Sequence, residues 1–255
     1  MILCVDIGNT NVVMGLFDHD TLIGQARFAT SNLKTADECG LRAYHLVQRH
    51  HPENEVEVDG VVICSVVPYL TPRMAEMSRS YLSKEPIVVS PELDIGVVVM
   101  IHNPHEVGTD RLVNALAACR TYDSNCIIID FGTATTFDLV TRRGEYLGGS
   151  IAPGIETASA NLAHRAAQLF SVEISPPTKV IGKTTEESLK SGIFWGQVEM
   201  INGMIVRMEE EFQEECRIVV TGGYGEVFEE YIDRDSVYNP NLTLEGLRMV
   251  FDEIT

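Results

Sequence analysis

The hydrophobic pattern opens on a continuous apolar run, Ile2 to Val5, that ends in Asp6-Ile7-Gly8, and two further apolar segments follow, Val12 to Phe17 and Leu22 to Phe28. Runs of this length bounded by turn residues predict strands. The same succession returns in mid-chain as Cys126 to Ile129, Asp130-Phe131-Gly132, Phe137 to Val140 and Glu145 to Ile151. Asp6 and Asp130, Gly8 and Gly132, and Gly24 and Gly148 all stand 124 positions apart. Polar turns, Asp18-His19-Asp20 in one copy and Arg142-Arg143-Gly144 in the other, precede the third strand. A lone D-x-G at a strand end is weak, because Asp and Gly are common turn formers. Its recurrence in the same strand–turn–strand–turn–strand frame predicts an internal duplication.

Around these copies strands alternate with helices. Val61 to Val66, Ile87 to Ser90 and Arg217 to Thr221 have the pattern of buried strands. Helical spacing covers Asp37 to Gln48, Pro72 to Leu82, Arg111 to Thr121, Thr157 to Phe170 and Thr185 to Glu215. Leu244, Leu247, Val250, Phe251 and Ile254 predict a closing amphipathic helix over Asn241 to Ile254. The expected architecture is α/β, in two related halves, residues 1–115 and 116–255, with a cleft between them.

Charge narrows the partners. The 255 residues carry 37 Asp plus Glu against 19 Lys plus Arg, a formal net charge of −18. So acidic a chain has no general attraction for nucleic acid or an anionic membrane, and neither is expected as a partner. A phosphorylated ligand must then be held by local donors or a metal. The run Ile95 to Ile101 falls far short of a bilayer span, and no signal peptide is legible, since Asp6 interrupts the first apolar stretch. The six cysteines contain no C-x-x-C pair, which suits buried free thiols in a reducing cytoplasm.

Two D-x-G hairpins have a chemistry in common. Glycine permits a tight turn and close approach to a ligand. The amides of Gly8 to Asn11 and of Gly132 to Thr135, with Thr and Asn side chains, suit phosphate oxygens. An aspartate at the strand end suits hydrated Mg²⁺, which needs only one or two carboxylates. Thr221-Gly222-Gly223 after a buried strand is either a plain strand–helix turn or a place for a flat adenine ring. These three elements in this order resemble the actin-like ATPase and sugar-kinase superfamily, whose duplicated domains close around ATP.

Other nucleotide motifs fail. Gly182-Lys183-Thr184 imitates the end of a P-loop, but Pro177 replaces its first glycine, and Gly223-Tyr224-Gly225 opens a Rossmann-like pattern that Phe228 breaks. His45, His50 and His51, and separately His102 and His105, lack partners at metal spacing.

The segment Asn103-Pro104-His105-Glu106-Val107-Gly108-Thr109-Asp110-Arg111 precedes the second hairpin. On residue chemistry alone, Asp110 and Arg111 are either a base beside an anion-binding cation or a favourable charge at a helix start with an exposed neighbour. The whole pattern, N-P-x-E-V-G-x-D-R with D-x-G-N-T-N and D-x-G-T-A-T-T, resembles the type III pantothenate kinases. The likeness covers essentially the whole chain, Pro153-Gly154 included. Ile101 departs from it, standing where many members have Tyr, and Tyr224 occupies a variable position.

The resemblance implies duplicated actin-like ATPase (ribonuclease H-like) domains with an ATP cleft, and ATP-dependent phosphorylation of pantothenate, the first step of coenzyme A biosynthesis. It implies that Asp6, Ile7, Gly8, Asn9, Thr10, Asn11, Val12 and Val13 hold ATP together with Gly132, Thr133, Thr221, Gly222 and Gly223. Gly108, Thr109, Asp110, Arg111 and Thr185 would bind pantothenate, with Asp110 as the base. Asp6 would hold Mg²⁺ through water, and Asp130 a monovalent cation, K⁺ or NH₄⁺. Members are homodimers, and Trp195 between Gly192 and Gly196 fits a close helix contact. Two rivals remain: another small-molecule kinase or phosphatase on this scaffold, and a protein that uses ATP only as a switch. A switch has no need of the base and cation in Gly108 to Arg111.

Overall fold

The computed structural model describes residues 1–50, 57–165 and 169–255; His51 and the predicted helical residues 166–168 lie outside them. In chain order the elements are β1 (Ile2–Ile7), β2 (Asn11–Asp18), β3 (Thr21–Ala29), α1 (Ala36–His50), β4 (Gly60–Ser65), α2 (Thr71–Leu82), β5 (Ile87–Val88), β6 (Val98–Val99) and α3 (Thr109–Tyr122). There follow β7 (Cys126–Phe131), β8 (Ala134–Val140), β9 (Glu145–Pro153), α4 (Ile155–Arg165), α5 (Thr185–Phe212), β10 (Arg217–Gly222), α6 (Gly225–Glu229), β11 (Ser236–Tyr238) and α7 (Leu242–Ile254). Contacts divide the chain into two compact units. One comprises Met1–Thr121, Gly144–Tyr146 and Asn241–Thr255, the other Tyr122–Arg143 and Leu147–Pro240.

The first unit has strand order β3-β2-β1-β4-β5, with β1 antiparallel to β2 and parallel to β4. Side chains alternate across a strand. Leu3, Val5 and Ile7 therefore join one core with Cys39, Ala43 and Leu46 of α1 and Met74 and Met77 of α2. Cys4 and Asp6 point to the opposite face. There α7 lies so close that a Cβ on Gly15, the residue paired with Cys4, would come within 2.8 Å of Leu244. The last helix of the chain thus completes the unit begun by its first strand.

In the second unit the order is β11-β10-β7-β8-β9, with β7 antiparallel to β8 and parallel to β10. Ile127, Ile129 and Phe131 of β7 pack with Phe194, Val198 and Ile201 of α5 and Phe228 of α6. Phe228 stacks on Phe131 at 5.3 Å and on Phe194 at 5.0 Å. Full burial of such rings stabilises by about 1.5–3 kcal/mol each. Trp195 makes edge contacts with Phe194 and Tyr231.

The duplication holds at the level of strands. β1 and β7, and β3 and β9, keep the 124-residue offset. The hairpin turn differs by one residue, because Asp6 pairs with Val13 whereas Asp130 pairs with Thr136. Gly182-Lys183-Thr184 is the lead-in to α5: Thr184 Oγ1 accepts from the Glu187 N–H at 3.2 Å, and Glu187 Oε2 accepts from the Lys183 N–H at 2.6 Å. That arrangement is a variant of the capping box in which Glu187 reaches one residue beyond the N-cap, and it accounts for the P-loop-like spelling as a helix lead-in.

Candidate active site

Asp6, the last residue but one of β1, lies on the face away from α1 and α2, and its Oδ1 accepts from the Cys64 thiol at 3.3 Å. Burial, then the charge of Asp110, pushes the Asp6 carboxyl up to about 6, although the Cys64 hydrogen bond and Arg27 oppose the rise. The loop after it is closed from within. The Gly8 N–H donates to Asn11 O at 3.0 Å, and Thr30 donates its N–H to Thr10 O at 2.9 Å and its hydroxyl to Gly8 O at 2.7 Å. The side chains of Ile7, Val12 and Val13 are buried, while Asn9 and Thr10 are exposed. Only backbone atoms of the three apolar residues can face a ligand.

The second hairpin repeats the device. The Gly132 N–H donates to Ala134 O at 3.0 Å, the Gly154 N–H to Thr133 O at 3.1 Å, and the Thr157 hydroxyl to the same oxygen at 2.7 Å. Gly132 and Thr133 are exposed at the tip. Each aspartate–glycine turn is therefore fastened by the residue that follows the third strand, Thr30 in one copy and Gly154 in the other. The Gly8 and Gly132 amides are used within their own turns.

Thr221 is buried beside Asp130 in the strand register, and Gly222 has φ +87°. A Cβ on Gly222 would sit 2.6 Å from Asp130 Oδ1 and from both N and O of Phe131. Glycine is required there both by conformation and by space. Gly223 is exposed and donates its N–H to Phe131 O at 3.0 Å. Tyr224 donates its hydroxyl to Glu156 Oε1 at 2.8 Å. Burial and that carboxylate push the phenol up to about 12.

Within the first unit, α3 begins two residues earlier than the apolar spacing predicts, so Asp110 lies in its first turn. Its Oδ1 accepts the Arg111 N–H at 2.9 Å and folds back over Gly108, where any Cβ would collide with it. Asp110 complements the helix start, and its charge acts on Asp6. The Arg111 guanidinium lies 5.9 Å from the ring centroid of Tyr146, which is 1% exposed. Thr109 is 9% exposed, with its hydroxyl turned to Ser65. Thr185 is the exposed first residue of α5, in the other unit.

Sequence reasoning did not find Thr30, Cys64, Ser65, Tyr146, Glu156 or Thr157. All six act by touching a candidate residue or its loop.

Among the described residues no group of three or more His, Cys, Asp or Glu is gathered to hold a metal, and no helix is long and apolar enough to cross a membrane. Asp6 with Asp110 nearby nevertheless forms an oxygen-only, mutually repelling pair that suits hydrated Mg²⁺. All six cysteines are free thiols, five of them buried.

A family model described as type III pantothenate kinase matches residues 2–207. The type III pantothenate kinase of Moorella thermoacetica is 41% identical over 256 residues, covering 100% of both chains. That of Thermobifida fusca is 40% identical over 261 residues, again covering 100% of both. Among solved structures, the ROK hexokinase of Thermus thermophilus aligns with TM-score 0.54 at 12% identity, covering 100% of this chain and 99% of that one. The fold is that of the actin-like ATPases and sugar kinases, and the chain belongs to the type III pantothenate kinase family.

Proposed function

We infer that this chain transfers the γ-phosphoryl group of ATP to the primary hydroxyl of pantothenate, the first step of coenzyme A biosynthesis. The observation that carries the reading, beside family membership, is a carboxylate at a helix start, Asp110, electrostatically coupled to the carboxylate that ends the D-x-G strand, Asp6. Asp110 accepts the proton of the pantothenate hydroxyl as its oxygen bonds to phosphorus and ADP leaves. Arg111, held over Tyr146, binds the substrate carboxylate, with Gly108, the backbone of Thr109 and Thr185 completing the pantothenate contacts. Asp6 to Val13, Gly132, Thr133 and Thr221 to Gly223 hold ATP.

Mg²⁺ fits the Asp6 site through water, and when bound it offsets phosphate charge in a protein of net charge −18. Asp130, beside Thr136 and Thr221 in the strand register, is the protein ligand for K⁺ or NH₄⁺. The working unit is a cytoplasmic homodimer in which Thr185 serves the neighbouring subunit's pantothenate site. Phe194, Ile201 and Ile205, three apolar residues of α5, fill their own unit's core, whereas a Cβ on Gly192, Gly196 or Gly203 would meet nothing within 4 Å. That open glycine face of α5 supports the dimer reading.

Measurement of ATP consumption with and without pantothenate, in potassium and in potassium-free sodium buffer, tests these assignments together. Pantothenate-dependent turnover that requires Mg²⁺ and falls without K⁺ or NH₄⁺ is expected. ATP consumption indifferent to pantothenate would overturn the substrate, and equal rates in sodium would remove the monovalent ion alone.

A further inference from the structure

We propose that Thr109 is a positioning residue whose hydroxyl replaces a missing strand at the end of β4, and that this fixes the start of α3 and hence Asp110. The proposal deepens the kinase reading and rests on it. One edge of β4 pairs with β1 to its last residue, Ser65 opposite Ile7, and Val66 donates its N–H to Ile7 O at 3.0 Å. The other edge is short of a partner. β5 pairs only with Val62 and Ile63, and its continuation ends with the Val89 N–H donating to Ile63 O at 2.8 Å.

Peptide groups alternate in direction along a strand, so Ser65 presents its N–H and C=O on that same edge, beyond the end of β5. Thr109 meets both. Its Oγ1 accepts the Ser65 N–H at 3.1 Å and donates to Ser65 O at 3.2 Å. Thr109 is 9% exposed and Ser65 is partly buried, so little water can take either role, and a peptide group left unmet out of water is costly.

The anchor is itself held. The Thr71 hydroxyl donates to Ser65 Oγ at 2.7 Å, and Ser65 Oγ accepts the Val67 N–H at 3.1 Å. The preceding residue, Cys64, supplies the hydrogen bond to Asp6. Two consecutive residues of one strand end thus tie down both carboxylates, Asp6 directly and Asp110 through its chain neighbour. With its proton on Ser65 O, the Thr109 hydroxyl acts on the reaction through Asp110.

Kinetics of Thr109→Val, Thr109→Ala and Thr109→Ser, with hydrogen exchange at the Ser65 amide, test this. Valine keeps the shape and removes the hydroxyl; alanine also leaves room for water, which keeps the test available should the valine variant not fold. Either is expected to lose protection at Ser65 and to lower kcat on the order of 10–100-fold, the cost of small misplacements of a reacting group, with KM for ATP within about 2-fold. Serine, which retains the hydroxyl, is expected to restore most of the lost kcat. Wild-type kcat in the valine or alanine variant would overturn the proposal, as would a serine variant as slow as valine, since a retained hydroxyl would then not be enough to place Asp110. If the wild-type chain consumes no ATP with pantothenate while the valine variant still loses protection at Ser65, the substrate reading fails and the link between Thr109 and β4 stands.

Discussion

Replacing Asp6 by asparagine is expected to stabilise the ligand-free protein while abolishing ATP binding, and the stabilisation is expected only at neutral and alkaline pH. The carboxyl titrates at about 6 instead of its ordinary 3.8, chiefly through burial and then through Asp110. Keeping it charged in the fold at neutral pH therefore costs roughly 3 kcal/mol. The groups acting on it are Asp110, which raises the value, and Cys64 and Arg27, which lower it. Because the folded state binds the proton more tightly, stability from this group is greatest below the unfolded value and falls as pH rises through about 4 to 6. Asparagine removes the penalty and still accepts from Cys64, but its buried amide carries a desolvation cost, so a gain of about 1–3 kcal/mol remains. At about 2–4 °C per kcal/mol, Tm should rise by roughly 2–12 °C at pH 8. The difference should fall by about 2–3 kcal/mol between pH 8 and pH 4. Saturating Mg·ATP should reverse the order, since ligand at 1,000 times its Kd stabilises the wild type by about 4.1 kcal/mol and the variant not at all. Thermal scans at the two pH values, with and without Mg·ATP, check this. A variant less stable than wild type at pH 8, or a difference that does not change with pH, would refute the reasoning.

Asp110→Asn keeps the shape of the side chain and removes the base, so kcat should fall by about 10²–10⁴-fold with little change in KM for ATP; near-normal turnover would leave Asp110 only its place at the helix start. Gly222→Ala forces a Cβ against Asp130 and Phe131 at φ +87° and should cost at least about 1–3 kcal/mol, read as a lowered Tm and lost ATP-induced stabilisation. Tyr146→Leu removes the ring beneath Arg111, an interaction of about 0.5–2 kcal/mol, and should raise KM for pantothenate by roughly 2–30-fold with KM for ATP unmoved. An unchanged pantothenate KM in that variant would detach Arg111 from the substrate.

Local pattern carried most of the fold because each strand of the duplicated hairpins announces itself by apolar run and turn. The third strands, β3 and β9, keep the repeat offset, and α1, α2 and α7 begin within one residue of their predicted starts. The helix start at Thr109 was missed for a reason that also explains its role. Thr109, Asp110 and Arg111 have no apolar periodicity, so the register of α3 is set by a tertiary contact, the Thr109 hydroxyl on Ser65. Short elements such as β6, β11 and α6 escaped because two to five residues hold too little of either period to be told from a loop.

The candidate site shows the same division between what is written along the chain and what is written across it. D-x-G, G-x-D-R and T-G-G are contiguous, so the phosphate and base candidates were legible as words. Their supports are not contiguous. Cys64 meets Asp6, and Ser65 meets Thr109, only because β4 lies parallel beside β1 with Asp6 opposite Cys64. Nothing in an apolar run from Val61 states which neighbour it will take. Tyr146 reaches Arg111 because the first residues of β9 pair with β6, a two-residue strand with no signal of its own. Long-range pairing therefore decides how Asp6, Asp110 and Arg111 are aimed, and the residues that do the aiming have the ordinary sequence of strand ends.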